Sequence, residues 1–376
     1  MTQQDSILST AADTWNIETQ FVHGGRATSQ NKSGTGTPTV RPIHASTTYF
    51  HENAEALDHS FAGTNSEGES AFVYARHGNP NTTAFEEAMA RVEKGVGAIS
   101  CGSGMAAIHT ALLAAGLTAG TKIVVSQDLY GPTITLLKRV FTPVGVELVL
   151  TDFCKPEALD LLRKEEPDVI YVETISNPLV KVADLDAIST VAREIGAVTI
   201  VDSTFSTPYL TRPLEHGLDL VVHSATKYIS GHGDSTGGVV ISAKKALLSQ
   251  LHDYNVLLGA TLSPFECHLM LRGLRTLALR MERQCANAMR VAHFLQQHPA
   301  IAKVHYPGLE EHPQHALAGK LMDNGQYGGL LAFELKEQSR AAAFHFMNKL
   351  QLCIHATSLG DVFSLVSYPP ISSHRT

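Results

Sequence analysis

Five short apolar runs rich in β-branched residues recur along the chain: KIVV (122–125), VELVL (146–150), DVIYV (168–172), AVTIV (197–201) and DLVVH (219–223). Helix-length stretches such as PTITLLKRVF and LDAISTVAREIG separate them. Strands buried on both faces are apolar throughout, and parallel neighbours need a long crossover, usually a helix. The alternation therefore predicts βαβ units: an α/β fold with a mostly parallel sheet sandwiched by helices. In such sheets ligands bind outside the carboxyl ends of the strands, so the residues just after each run are the candidates for chemistry.

The flanks differ from this centre. Residues 1–78 are expected to form an N-terminal arm, because Gly, Pro, Ser and Thr cluster in SQNKSGTGTPTVRP and no helical period lasts beyond a turn or two. An isolated arm is costly to order, so it is expected to lie on another subunit. Residues 79–262 form the α/β domain, opening with a helix in which Thr83-x-x-Glu86 resembles a capping box, with Phe85, Met89 and Val92 at helical spacing and Gly95 at the end. Residues 263–376 are expected to be a smaller α+β domain, with one long helix over 264–297 and strands near 330–335 and 351–356.

Composition excludes several classes. The 376 residues carry 29 Lys+Arg against 36 Asp+Glu, net −7, which gives no electrostatic footprint for nucleic acid. Five scattered cysteines without a CxxC form neither a disulfide framework nor a zinc ribbon and fit a reducing compartment. MTQQDSILSTAADTW lacks the order of a signal peptide, and no run of apolar residues is long enough to span a bilayer. A cytoplasmic protein with no membrane or nucleic-acid partner is expected. His305, His312 and His315 with Glu310 and Glu311 form a metal-like cluster in HYPGLEEHPQH, but Pro313 breaks the helix that would align them, so a solvated loop is expected and no metal.

Three strand ends stand out. Cys101-Gly102-Ser103-Gly104-Met105 follows the strand-like GAIS and opens the helix MAAIHTALLAAG, where free N–H groups can hold a phosphate. Gly102-x-Gly104-x-x-Ala107, with Asp128 after the next strand, also matches a dinucleotide fingerprint, so an NAD(P)-dependent oxidoreductase stays open here. The run AVTIV ends in Asp202, and DLVVH ends in Ser224-Ala225-Thr226-Lys227. An acid and a lysine at neighbouring strand ends suit pyridoxal phosphate: the amine links to the aldehyde and the acid pairs with the ring nitrogen. Ser224 and Thr226 are placed to give hydroxyls to the same phosphate.

VDSTFSTPYL and HSATKYISGHGD, with SGM, DLYG, ETISNP and YARHGNP, resemble the Cys/Met-metabolism (trans-sulfuration) family of pyridoxal-phosphate enzymes from about Thr19 to the C-terminus. That family includes cystathionine γ-synthase, cystathionine γ-lyase, methionine γ-lyase and the O-acylhomoserine sulfhydrylases. The resemblance implies a fold-type I enzyme in which Lys227 holds the cofactor and then shuttles protons. It implies that Asp202 pairs with the ring nitrogen, and that Gly104, Met105, Ser224 and Thr226 hold the phosphate. Tyr130 would stack on the ring and act as acid or base, while Asn177 would reach the cofactor's phenolic oxygen and, with Ser358, the substrate. Tyr74 and Arg76 would complete the neighbouring subunit's site in a homotetramer built from two dimers.

The implied reaction is γ-elimination or γ-replacement on sulfur amino acids or activated homoserine esters. A β-acting C–S lyase on cystathionine or cysteine is the alternative. Pro132 stands where methionine γ-lyases carry a cysteine and Thr357 where cystathionine-directed members carry a glutamate, whereas Asp361 follows the methionine γ-lyase pattern. The family pattern continues past YPPISSHRT into a strand whose arginine clamps the substrate carboxylate. On that pattern Arg375 is a surface residue, and the chain is expected to be a truncated subunit that takes up cofactor but turns over substrate poorly.

Overall fold

The computed structural model describes residues 14–26, 38–63 and 71–372, so Arg375 lies outside the described residues. The arm carries two short helices that the sequence reading did not assign, α1 (Ile17–His23) and α2 (Ala54–Phe61). Each is started by an asparagine: the Asn16 side chain accepts the Thr19 N–H, and that of Asn53 accepts the Ala56 N–H. Helix α3 (Pro80–Val92) begins before the expected Thr83-x-x-Glu86 box, because Asn79 and Thr82 form the capping box instead. Glu86 lies inside the helix and accepts both the backbone N–H and the hydroxyl of Ser100, at 2.8 and 2.7 Å.

The α/β domain continues as β1 (Gly97–Cys101), α4 (Gly104–Ala114), β2 (Lys122–Ser126), α5 (Gly131–Leu136), β3 (Glu147–Thr151), α6 (Glu157–Glu165), β4 (Val169–Glu173), α7 (Leu185–Ile195), β5 (Val198–Asp202), α8 (Thr207–Leu210), β6 (Leu220–His223), β7 (Gly238–Ser242) and α9 (Lys245–Leu258). The seven strands lie in the order β1-β7-β6-β5-β4-β2-β3. All neighbours from β6 to β3 are parallel, and β7 is antiparallel to both β6 and β1. All five expected runs are strands. The buried strand GVVIS was not anticipated, because the glycine-rich HGDSTGG before it masks its start.

Period-two alternation feeds two core layers. Tyr171, Ile200 and Val222 face α4 on one side of the sheet. Val172 and Val201 face α3 and α7 on the other. The C-terminal part holds α10 (Pro264–Leu274), α11 (Leu277–Gln296), β8 (Ile301–His305), α12 (His315–Leu321), β9 (Ala332–Leu335), α13 (Arg340–Lys349), β10 (Ile354–His355) and β11 (Leu365–Val366). The single helix expected over 264–297 is broken at Arg275–Thr276, where the Thr276 hydroxyl turns back onto the Gly273 carbonyl.

The expected solvated histidine loop is corrected. His305 and His312 are buried; His305 Nε2 lies 2.7 Å from Glu334 Oε1, and burial pushes His312 down to about 4. His315 bonds the Pro307 carbonyl and stacks on Tyr327. Only the glutamates face solvent.

Candidate active site

Because β1 and β6 both run antiparallel to β7, their carboxyl ends emerge on the side where β2, β4 and β5 also end. The glycine turn after β1 leads into α4. Its N-cap Ser103 takes the Ala106 N–H at 3.0 Å, which leaves the Gly104 and Met105 N–H groups without an acceptor among the described residues. Gly104 is pressed against Ser224: a Cβ at 104 would lie 2.7 Å from Ser224 Oγ and 2.8 Å from its Cβ. Only glycine allows that approach. The Ser224 backbone N–H is held by Thr204 Oγ1 at 2.8 Å, and its hydroxyl bonds no described residue. Thr226 differs from expectation. Its hydroxyl donates to the Gly237 carbonyl at 3.1 Å and accepts the Gly237 N–H at 2.9 Å, so in this arrangement it has no proton left for a phosphate oxygen.

Lys227 closes the turn after β6, its N–H bonded to the Ser224 carbonyl. Its Nζ lies 3.1 Å from Ser358 Oγ, and burial lowers its pKa. Behind it, Arg280 donates to the Tyr228 carbonyl at 2.6 Å and the Gly273 carbonyl at 2.8 Å, fixing the segment after the lysine. Burial pushes that guanidinium down to about 10.

Asp202 ends β5. One carboxylate oxygen takes the Thr204 N–H at 3.0 Å, and the other accepts the Tyr171 hydroxyl at a long 3.5 Å. Burial raises its pKa. A partly buried acid with one oxygen only weakly bonded suits a cationic N–H partner. Glu173 ends β4 in register with Asp202 and is buried. Its two oxygens accept the backbone N–H of Tyr130 at 2.6 Å and of Asn177 at 3.1 Å. Burial, and then the neighbouring Asp202 charge, push Glu173 well up. Burial and Asp202 also raise the half-exposed Tyr130 phenol. The Asn177 side-chain amide bonds no described residue. Asp128, the ribose partner of the dinucleotide reading, instead accepts Lys181 Nζ at 2.6 Å.

Gly104, Ser224, Lys227 with Ser358, and Asp202 near Tyr130 thus share one strand-end region. Tyr74 and Arg76 do not join them within this chain. Tyr74 is 41% exposed, and Arg76 sits over its ring while donating to the Val256 carbonyl at the end of α9. Asp361 lies against Gly233, and Thr357 is exposed. Sequence reasoning missed Glu173, Thr204 and Arg280. Glu173 stood in the quoted ETISNP and could have been found as a strand-end acid beside Asp202; Arg280 has no local signal.

The donors at the start of α4, the glycine cradle on Ser224, the partly buried amine and the strand-end acid fit a group bearing a phosphate, an aldehyde and a basic ring nitrogen. Pyridoxal phosphate has all three. Residues 18–376 match the family model described as Cys/Met metabolism PLP-dependent enzyme. The chain is 40% identical over 360 residues to a cystathionine beta-lyase of Lactococcus lactis subsp. cremoris, covering 96% of this chain and 89% of that protein. It is 39% identical over 361 residues to an L-methionine gamma-lyase of Fusobacterium nucleatum subsp. nucleatum, covering 95% of this chain and 88% of that one. A crystal structure of cystathionine gamma synthase from Xanthomonas oryzae pv. oryzae, in complex with aminoacrylate and cysteine, superposes with a TM-score of 0.87 at 34% identity, covering 96% of this chain and 88% of that chain. A match over nearly the whole chain, on a fold-type I sheet with these strand ends, makes the protein a member of the Cys/Met-metabolism family of pyridoxal-phosphate-dependent enzymes.

Proposed function

We propose that the chain eliminates or replaces the substituent on the γ-carbon of a sulfur amino acid or an activated homoserine ester, with Lys227 as the cofactor-linked base. The observation that carries this is the Lys227 amine, partly buried at a strand end with its pKa lowered by desolvation, in the same region as Asp202, whose second oxygen has only a long bond to the Tyr171 hydroxyl. When bound, pyridoxal phosphate supplies the electron sink for bonds broken at the substrate's α-carbon. The Gly104 and Met105 N–H groups and the Ser224 hydroxyl bind the phosphate, and Thr226 braces the turn through Gly237. Asp202 holds the proton on the ring nitrogen. Tyr130 would stack on the ring; its raised pKa keeps the phenol protonated, so it would act as the acid toward the departing sulfur or oxygen. Asn177 offers its free amide to the cofactor's phenolic oxygen and, with Ser358, to the substrate. The lowered pKa of Lys227 leaves more neutral amine near pH 7, which suits a base that carries a proton from Cα to the next carbons.

A β-acting C–S lyase is the second reading, favoured by the 40% identity to a cystathionine beta-lyase. Turnover of purified protein on methionine, cystathionine and O-acetylhomoserine separates the two. Pyruvate from cystathionine means β-cleavage, and 2-oxobutyrate from methionine means γ-cleavage. Lys227→Ala is expected to lose the yellow colour and the cofactor fixed by borohydride; covalent cofactor retained in that variant refutes the assignment.

The exposed Tyr74 and Arg76 are assigned to the neighbouring subunit's phosphate, in a homo-oligomer of dimers. Arginine suits this because its planar fork holds two phosphate oxygens. Mixing inactive Arg76→Ala and Lys227→Ala chains should restore up to about a quarter of the native activity through hybrids with one intact site. Absence of any recovery in verified hybrids overturns the arrangement.

A further inference from the structure

We propose that Glu173 is a positioning residue that sets Tyr130 and Asn177 at a fixed separation over the cofactor ring. One carboxylate reaches both: Oε1 accepts the Tyr130 N–H at 2.6 Å and Oε2 the Asn177 N–H at 3.1 Å. These two residues come from different loops, one after β2 and one after β4. Tyr130 is the N-cap of α5, yet it has no side-chain cap, so the Glu173 carboxylate is what anchors the start of that helix. A second tie, Lys181 to Asp128 at 2.6 Å, joins the same two loops. The loops are therefore clamped at two points, and the inner clamp bears on the two pocket residues themselves.

The chemistry demands a carboxylate of this length. Two N–H donors need two acceptor oxygens; an amide offers one oxygen and turns an NH2 toward the other donor. Aspartate is one methylene too short to span both. Glu173 also stands beside Asp202 in register at the strand ends, where a ring nitrogen paired to Asp202 would lie. A strut in that place governs the height of the Tyr130 ring and the reach of the Asn177 amide, so it acts on the reaction through them and touches neither substrate nor cofactor.

The inference rests on the proposed pyridoxal-phosphate chemistry, and its test has one arm independent of it. In the cofactor-free full chain, amide hydrogen exchange at Tyr130 and Asn177 is compared between native, Glu173→Gln and Glu173→Asp, with the Tyr171 amide inside β4 as the control for an intact sheet. At least one of the two amides is expected to exchange about 2- to 10-fold faster in each variant, the span of an ordinary hydrogen bond, with Tyr171 unchanged. In the loaded enzyme, both variants are expected to keep the cofactor on Lys227 but weaken its induced circular dichroism. Their kcat should fall about 10-fold or more while KM stays within about threefold, as for an interaction that matters in the transition state. Unchanged exchange at both amides overturns the proposal. So does faster exchange with native dichroism and kcat, which would make Glu173 only a structural strut. Should Gln at 173 disturb the Tyr171 control, the Asp variant, which keeps the carboxyl group, decides by the same readouts. A native chain that takes up no cofactor refutes the proposed function instead, and the exchange arm then decides whether Glu173 clamps the two loops.

Discussion

Lys227 Nζ donates to Ser358 Oγ at 3.1 Å, joining residues 131 apart in sequence. Gly360 (φ +75°) lets the Ser358 segment lie flat on the lysine turn, since a Cβ there would come within 2.5 Å of the Tyr228 nitrogen. The serine accepts from the ammonium form and therefore favours it. Ser358→Ala should lower the Lys227 pKa further, move the acidic limb of the pH–kcat profile, where the base is lost to protonation, to lower pH, and reduce kcat/KM about 10- to 100-fold. A limb that does not move would mean that the working lysine does not use this contact.

The partly buried Lys227 also links stability to pH. Its folded pKa lies below the ordinary value of about 10.4, so between the two values the unfolded chain binds the proton and the native chain does not. Stability of the cofactor-free protein should therefore rise with pH across that window, as the charged amine's burial penalty is relieved. Urea unfolding of native protein and Lys227→Met at stepped pH checks this: the difference between them should shift in the native protein's favour as pH climbs toward about 10.4.

Asp202 gives the opposite sign. Burial raises its folded pKa, so the cofactor-free protein loses stability as pH rises from about 3.9 through the raised value. Asp202→Asn should remove that loss and raise the melting temperature of cofactor-free protein at neutral pH. The same substitution should weaken pyridoxal-phosphate binding by about 100-fold or more, because the ring cation loses its buried partner. Thermal melts and cofactor titration would show whether stability and binding move in opposite directions.

Gly104→Ala places a methyl group against Ser224, within 2.8 Å of its side-chain atoms. The helix start and the lysine turn must then separate, and the phosphate loses donors from both. Affinity for pyridoxal phosphate is expected to fall about 10-fold or more, while affinity for unphosphorylated pyridoxal stays within about threefold. Equal losses for the two ligands would point to a general distortion of the pocket.

Much of this architecture was legible because burial on both faces makes parallel strands apolar throughout, as in DVIYV and AVTIV. The lysine and acid were legible because they end such runs. What stayed hidden has physical causes. The clamp of Glu173 on Tyr130 and Asn177 depends on which strands become neighbours, and β2 pairs with β4 on one side as well as with β3, the next strand in the chain, on the other. The role of Arg280 comes from a helix far along the chain, and its acceptors are carbonyls, which every residue has. Thr226 looked like a phosphate donor from spacing alone; its commitment to Gly237 follows from β7, a strand masked by its glycine-rich approach.

The placement of β7 between β6 and β1 has a consequence for biogenesis. The glycine turn at 102–104 is synthesised long before Ser224, and the strand that seats β1 in the sheet comes later still. No local precursor of the pocket exists, and such long-range closure is slow relative to helix formation. A nascent chain that has not yet released β7 from the ribosome cannot hold the start of α4 against Ser224. The two sides of the proposed phosphate site, the turn after β1 and the turn after β6, are therefore brought together only when the sheet closes.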